Sequence, residues 1–79
     1  MNVLIVIPAF NEAESLGDVI DEVRSFQPQR DILVVDDGSA DQTSAIAVGR
    51  KVPVLRHPFN LGAGAAVQTG LIFAARWRR

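Results

Sequence analysis

The sequence predicts an α/β protein of three layers, a parallel sheet between helices, in the order β-α-β-α-β-α. Three observations carry that expectation. Two short, unbroken apolar runs, Val3–Ile7 and Ile32–Val35, are rich in β-branched residues, as strands buried on both faces of a parallel sheet are. Between them Leu16, Val19, Ile20, Val23 and Phe26 recur at helical spacing, one apolar stripe on one helix. A poorer apolar segment and a last helix rich in small residues repeat the alternation, which implies right-handed crossovers.

Taken in order, the first strand is Val3–Ile7, ended by Pro8, and Pro8-Ala9-Phe10-Asn11-Glu12 forms the loop at its carboxyl end. Asn11 is the expected N-cap of the first helix, with Glu14 three residues on as a capping-box partner. Glu12 and Glu14 suit the positive end of the helix dipole. Gln27-Pro28 stops that helix. The second strand, Ile32–Val35, runs into Asp36-Asp37-Gly38. Ser39 with Gln42 offers another capping box, Asp41 being the alternative cap, for a helix from Asp41 to about Val48 with Gly49 as its C-cap. Val52-Pro53-Val54-Leu55 reads as a third strand, and its proline assigns it to an edge or a strand start. Asn60-Leu61-Gly62-Ala63-Gly64-Ala65-Ala66 then opens a third helix. Along it Gly62, Ala66, Gly70 and Ala74 form a strip of small residues that lets the helix lie close to the sheet. The sequence closes on Arg76-Trp77-Arg78-Arg79, read as a solvated helix end with no cap or further strand, so a truncated chain is expected.

The totals narrow the function. A chain of 79 residues holds one small domain. A formal net charge of -1 gives no support for a nucleic-acid partner. There is no cysteine and one histidine, which excludes disulfides, thiol chemistry and histidine- or cysteine-built metal clusters. No apolar run approaches bilayer length, and the start lacks the features of a secretory signal, so the cytoplasm is the expected compartment.

The chemistry gathers at the end of the second strand. Ligands of open parallel sheets bind outside the carboxyl ends of the strands, where Asp36 and Asp37 stand. Successive strand residues face opposite ways, so only one of the two need enter a given crevice. A solvated turn with Asp as helix cap is the plainer alternative. A phosphorylatable receiver domain fits poorly, because there the acid pair follows the first strand, and here residues 52–60 contain no acid. A dinucleotide-binding fingerprint built on Gly62-Ala63-Gly64 fits no better, since Val67 stands where the third glycine belongs.

Three segments in order carry a resemblance: Pro8-Ala9-Phe10-Asn11-Glu12, then Val34-Val35-Asp36-Asp37-Gly38-Ser39-x-Asp41-x-Thr43, then Asn60-x-Gly62-x-Gly64-Ala65. Together they resemble the amino-terminal half of a family 2 glycosyltransferase with the GT-A fold, and within it the dolichyl-phosphate mannosyltransferase-like members. The resemblance covers essentially residues 1–79. It implies a single, truncated, Rossmann-like half-domain that binds a nucleotide sugar.

By that resemblance the nucleotide-binding residues are Pro8, Ala9, Phe10 and Glu12 from the first loop and Val35, Asp36, Asp37 and Gly38 from the second strand end. Asn60, Gly62 and Gly64 form a supporting loop. A carboxylate at Asp37 would accept the imino N–H of uracil or the N1–H and N2–H of guanine. Phe10 would wall the base or pack its own loop. The implied partners are a UDP- or GDP-type sugar and, for the full enzyme, a polyprenyl phosphate acceptor at the membrane surface. The family's Mg²⁺ or Mn²⁺ binds an Asp-x-Asp motif, and none occurs here. No metal site, catalytic base or acceptor site is therefore expected within this chain, and the isolated chain is expected to be inactive. The alternative is a non-catalytic nucleotide-binding remnant that self-associates as a homo-oligomer. His57, beside Pro58, reads as a loop residue rather than a base.

Overall fold

The computed structural model describes residues 3–77; Arg78 and Arg79, part of the expected solvated helix end, lie outside them. The elements are β1 (Leu4–Ala9), α1 (Ala13–Phe26), β2 (Asp31–Asp36), α2 (Thr43–Gly49), β3 (Val54–Arg56) and α3 (Ala63–Arg76). The three strands form one parallel sheet in the order β1-β2-β3. The alternating α/β architecture is the expected Rossmann-like one.

Alternation along β2 builds two cores. Ile32 and Val34 face α1 and α2, packing with Leu16, Ile20 and Ala47. Leu33 and Val35 face α3, packing with Ala66 and the half-buried Phe73. Leu33, Val34 and Val35 are at most 1 % exposed, which is why this strand carries no polar side chain between Asp31 and Asp36. Helices α1 and α2 share a face, as two right-handed crossovers stepping the same way require. Helix α3 covers the other face, over β1 and β2.

Several boundaries differ from those expected. Pro8 does not end β1: the strand continues through it to Ala9, in register with Val35 and Asp36. An edge strand tolerates a proline because one row of its N–H groups needs no ladder partner, and among the described residues β1 pairs only with β2. Pro53 precedes β3, which begins at Val54, and its carbonyl accepts from Val34 N at 3.0 Å.

Helix α1 is not capped by Asn11. Its N-cap is Glu12, without a side-chain cap bond, while Asn11 takes a left-handed φ of 51°. Helix α2 starts at Thr43 rather than Asp41, and no Ser39–Gln42 box forms; Asp41 Oδ1 instead accepts from Thr43 N at 3.0 Å. Gly49 stays inside α2, and Lys51, at φ 62°, makes the left-handed exit expected of a glycine. Gly62 precedes α3 as its N-cap with φ 99°. The small-residue contact therefore narrows to Ala66 and Gly70, the residues of α3 that are buried.

Candidate functional site

The loop after β1 and the loop after β2 are sewn together by side chains. Asn11 N donates to Ser39 Oγ at 2.8 Å, and Asn11 Oδ1 accepts from Ala40 N at 2.8 Å. The first N–H groups of α1 find acceptors on the other loop: Glu12 N donates to Thr43 Oγ1 at 2.9 Å and Ala13 N to Asp41 Oδ2 at 3.1 Å. The Thr43 hydroxyl also donates to Asp41 Oδ1. One acid thus satisfies the amino ends of two helices, where negative charge is favoured. The Thr43 hydroxyl bond holds Asp41 below the usual carboxylate range against the opposing effect of desolvation, with help from the Ala13 and Thr43 N–H groups.

Asp36 and Asp37 part company as strand alternation requires. Asp36, fully buried, turns to the α2 side. It accepts from Ser39 N at 2.9 Å, from the Ser44 hydroxyl, and from Arg56 Nη1 at 2.8 Å. Arg56 Nη2 reaches Ser39 O at 2.6 Å. Burial alone would raise the Asp36 pKa; the Ser39, Ser44 and Arg56 contacts outweigh it and leave the group below its ordinary value.

Asp37, 4 % exposed, turns to the α3 side. Its Oδ1 accepts from His57 Nδ1 at 2.7 Å and from Leu61 N at 3.0 Å, and its Oδ2 accepts from Gly62 N at 2.9 Å. The His57 ring first, then the Leu61 and Gly62 N–H groups, hold it below the usual carboxylate range. A carboxylate has about four acceptor positions, so these three bonds leave one, on Oδ2.

Asp37 borders a cleft of about 280 Å³ at the carboxyl ends of β1 and β2. Pro8, Ala9, Phe10 and Glu12 form one wall, Asn60, Gly62, Ala63 and Ala66 the other, and Asp37 stands between them. Phe10 is 43 % exposed there. The amino end of α3 opens on the cleft without a side-chain cap, whereas that of α1 is occupied by Asp41 and Thr43.

Of the residues the sequence singled out, Val35, Asp36, Gly38 and Gly64 do not line this cleft. Val35 is core and Asp36 is a buried brace. Gly38, at φ 77°, lets the 59–60 backbone pass: a Cβ there would come within 2.7 Å of Asn60 N. A Cβ at Gly64 would meet nothing within 4 Å. A larger cavity of about 490 Å³, bounded by Leu55, Ile72, Phe73 and Trp77, lies along α3 and has no carboxylate in its lining.

Two residues escaped the sequence reading. His57 is not a simple loop residue: it is 8 % exposed and bonded at both ring nitrogens, to Asp37 and, at 2.7 Å, to Thr69 Oγ1. Arg56 is the partner of Asp36. The signal was register, because Arg56 pairs with Asp36 across the ladder and His57 therefore stands level with Asp37.

A divalent cation is not accommodated by these groups. Hard cations take several oxygen ligands at once, but Asp36 and Asp37 face opposite sides of the sheet and are engaged internally. No three His, Cys, Asp or Glu side chains converge among the described residues. Nor is any helix among them long and apolar enough to cross a membrane.

Residues 4–75 match the family model described as glycosyl transferase family 2. The chain is 42% identical over 69 residues to an uncharacterized protein of Methanocaldococcus jannaschii, covering 87% of this chain and 28% of that one. It is 34% identical to the dolichyl-phosphate beta-glucosyltransferase of Drosophila melanogaster, over 89% of this chain and 26% of the relative. For the polyprenol monophosphomannose synthase of Mycolicibacterium smegmatis the identity is 38%, over 92% and 30%. The chain thus spans between a quarter and a third of the length of these relatives. Among solved structures, the mannosyl-3-phosphoglycerate synthase of Rubrobacter xylanophilus superposes with a TM-score of 0.63 at 32% identity, over 71% of this chain and 19% of that one. With its strand-end carboxylates, its parallel sheet and a family-model match over residues 4–75, the chain belongs to glycosyl transferase family 2.

Proposed function

We propose that this chain is the donor-recognising part of a glycosyltransferase that moves a sugar from a nucleoside diphosphate to a polyprenyl phosphate acceptor. The observation that carries the reading is the Asp37 carboxylate, held in place at the edge of the strand-end cleft with one acceptor position open. The topology supports it. The cleft lies at the carboxyl ends of β1 and β2, outside which ligands of open parallel sheets bind. The base would lie between Phe10 and Asp37. One open position on Oδ2 suits the single imino N–H of uracil. The names of the relatives, a dolichyl-phosphate glucosyltransferase and a polyprenol monophosphomannose synthase, support the acceptor class.

The Mg²⁺ or Mn²⁺ of the full reaction would be held by residues beyond those that line this cleft. For the 79-residue chain alone, the absence of converging metal ligands among the described residues favours a second reading: it binds nucleotide without transferring sugar. In either reading Pro8, Ala9, Phe10, Glu12 and Asn60 shape the site, while Asp36 and Gly38 hold its loops.

Calorimetric titration with UDP and CDP tests the assignment. Cytosine presents an acceptor where uracil presents the imino N–H, so a charge-assisted bond of about 1.5–3 kcal/mol is lost. UDP is expected to bind at least tenfold more tightly than CDP, and Mg²⁺ or Mn²⁺ to tighten UDP by less than tenfold, about 1.4 kcal/mol. Equal affinity for the two nucleotides would sink the role of Asp37.

A further inference from the structure

His57 is the only histidine in the chain, and it lies one residue beyond β3, behind the cleft rather than in its lining. Its backbone N–H donates to Asp36 O at 2.8 Å, which sets the ring level with Asp37. An ionised carboxylate only accepts hydrogen bonds, so the 2.7 Å contact to Asp37 Oδ1 requires a proton on Nδ1. Nε2 pairs with Thr69 Oγ1 at 2.7 Å, a hydroxyl that can both donate and accept. Thr69 sits in the middle of α3, so the ring ties the ends of β2 and β3 to that helix.

We infer that His57 is a positioning residue for the cleft that, by donating its Nδ1–H, fixes the Asp37 carboxylate so that its open acceptor position stays available to a ligand. Two of the three bonds to Asp37 come from Leu61 and Gly62, which belong to the loop the carboxylate itself organises. Those bonds cannot define its orientation independently. The His57 ring can, because it is buried and anchored to both the ladder and α3. By seating Asp37 it also seats the Leu61–Gly62 turn at the mouth of the cleft. The ligand half of this inference rests on the nucleotide reading given above; the orientation half does not.

Because there is one histidine, the long-range ¹H–¹⁵N spectrum of the uniformly labelled wild-type chain reports its tautomer without ambiguity. A protonated Nδ1 is expected at pH 7.5, and a predominant Nε2–H form or an averaged signature would overturn the inference. Two substitutions then separate the ring's contacts. The amide of His57→Asn reaches roughly where Nδ1 lay and keeps the donor to Asp37; the amide of His57→Gln reaches toward Thr69 and gives that donor up. Exchange of the Leu61 and Gly62 amides is expected to accelerate at least tenfold in His57→Gln and by less than threefold in His57→Asn, with UDP affinity falling in the same pattern. Equal changes in both variants would reduce His57 to a space-filling residue. If wild type does not bind UDP but the exchange pattern holds, the nucleotide reading fails and the positioning role stands.

Discussion

Asp36, Asp37 and Asp41 are three acids within six residues, and in the fold none of them faces open water alone. Asp36 braces Arg56 and the Ser39 turn, Asp37 seats the Leu61–Gly62 turn, and Asp41 bridges two helix ends. All three have pKa values below the ordinary one in the folded state, against about 3.9 when unfolded. The unfolded chain therefore binds more protons near that pH. The stabilisation is fully present above it and is lost as pH falls through the folded values. The thermal midpoint, followed by circular dichroism, is expected to be level from pH 7 to about 5 and to fall steadily below about pH 4. Asp36→Asn is expected to lower the midpoint at pH 7 and to make the acid limb shallower. A midpoint unchanged down to pH 3 would show that these carboxylates are not the braces their contacts indicate.

At the scale of elements, the glycines of α3 separate packing from propensity. A Cβ at Gly70 would lie 2.5 Å from Val6 Cγ1, whereas one at Gly64 meets nothing within 4 Å. Gly70→Ala is expected to push α3 off β1 and cost about 1–3 kcal/mol. Gly64→Ala, in an open helical position, is expected to gain up to about 1 kcal/mol. Denaturant unfolding of both variants checks the contrast, and equal effects would refute the close approach of α3 to the sheet. These helices also show how far the sequence could be read. Strands β1 and β2 and helix α1 were legible because their apolar periods are strong and local. The caps were not. Asn11 looks like an N-cap, but its side chain goes to Ala40 and its neighbours' N–H groups go to Thr43 and Asp41, partners about thirty positions away in the chain. No local pattern encodes such a bond. Asp37 was legible as a strand-end acid, while His57 was not, because its role depends on the register of β3 against β2. That register is fixed by pairing rather than by any feature near residue 57.

Across the whole molecule, the radius of gyration of 11.9 Å is close to the roughly 11.6 Å expected for a compact chain of this length. Its surface of 5173 Å² nevertheless exceeds by about a tenth the roughly 4,700 Å² expected for its mass. Much of what shows is apolar: Val67, Leu71 and Ile72 of α3 are each about half exposed or more. The sheet adds an edge, since among the described residues β1 pairs only with β2. Its outer row of N–H and C=O groups from Leu4 to Ile7 is a template for another strand, and Pro8, which lacks an N–H, limits the pairing to that stretch. A second copy could join it antiparallel across a two-fold axis, which is the self-complementary geometry of most homodimers. Strand pairing of this kind leaves the Asp37 cleft at the carboxyl ends of the strands uncovered. We therefore predict that the 79-residue chain self-associates and still binds UDP when it does. Light scattering from micromolar to millimolar concentration is expected to show a rising mean mass, with a thermal midpoint that climbs with concentration. A constant monomer mass with a concentration-independent cooperative transition would mean that the open edge is protected and that the chain is stable on its own.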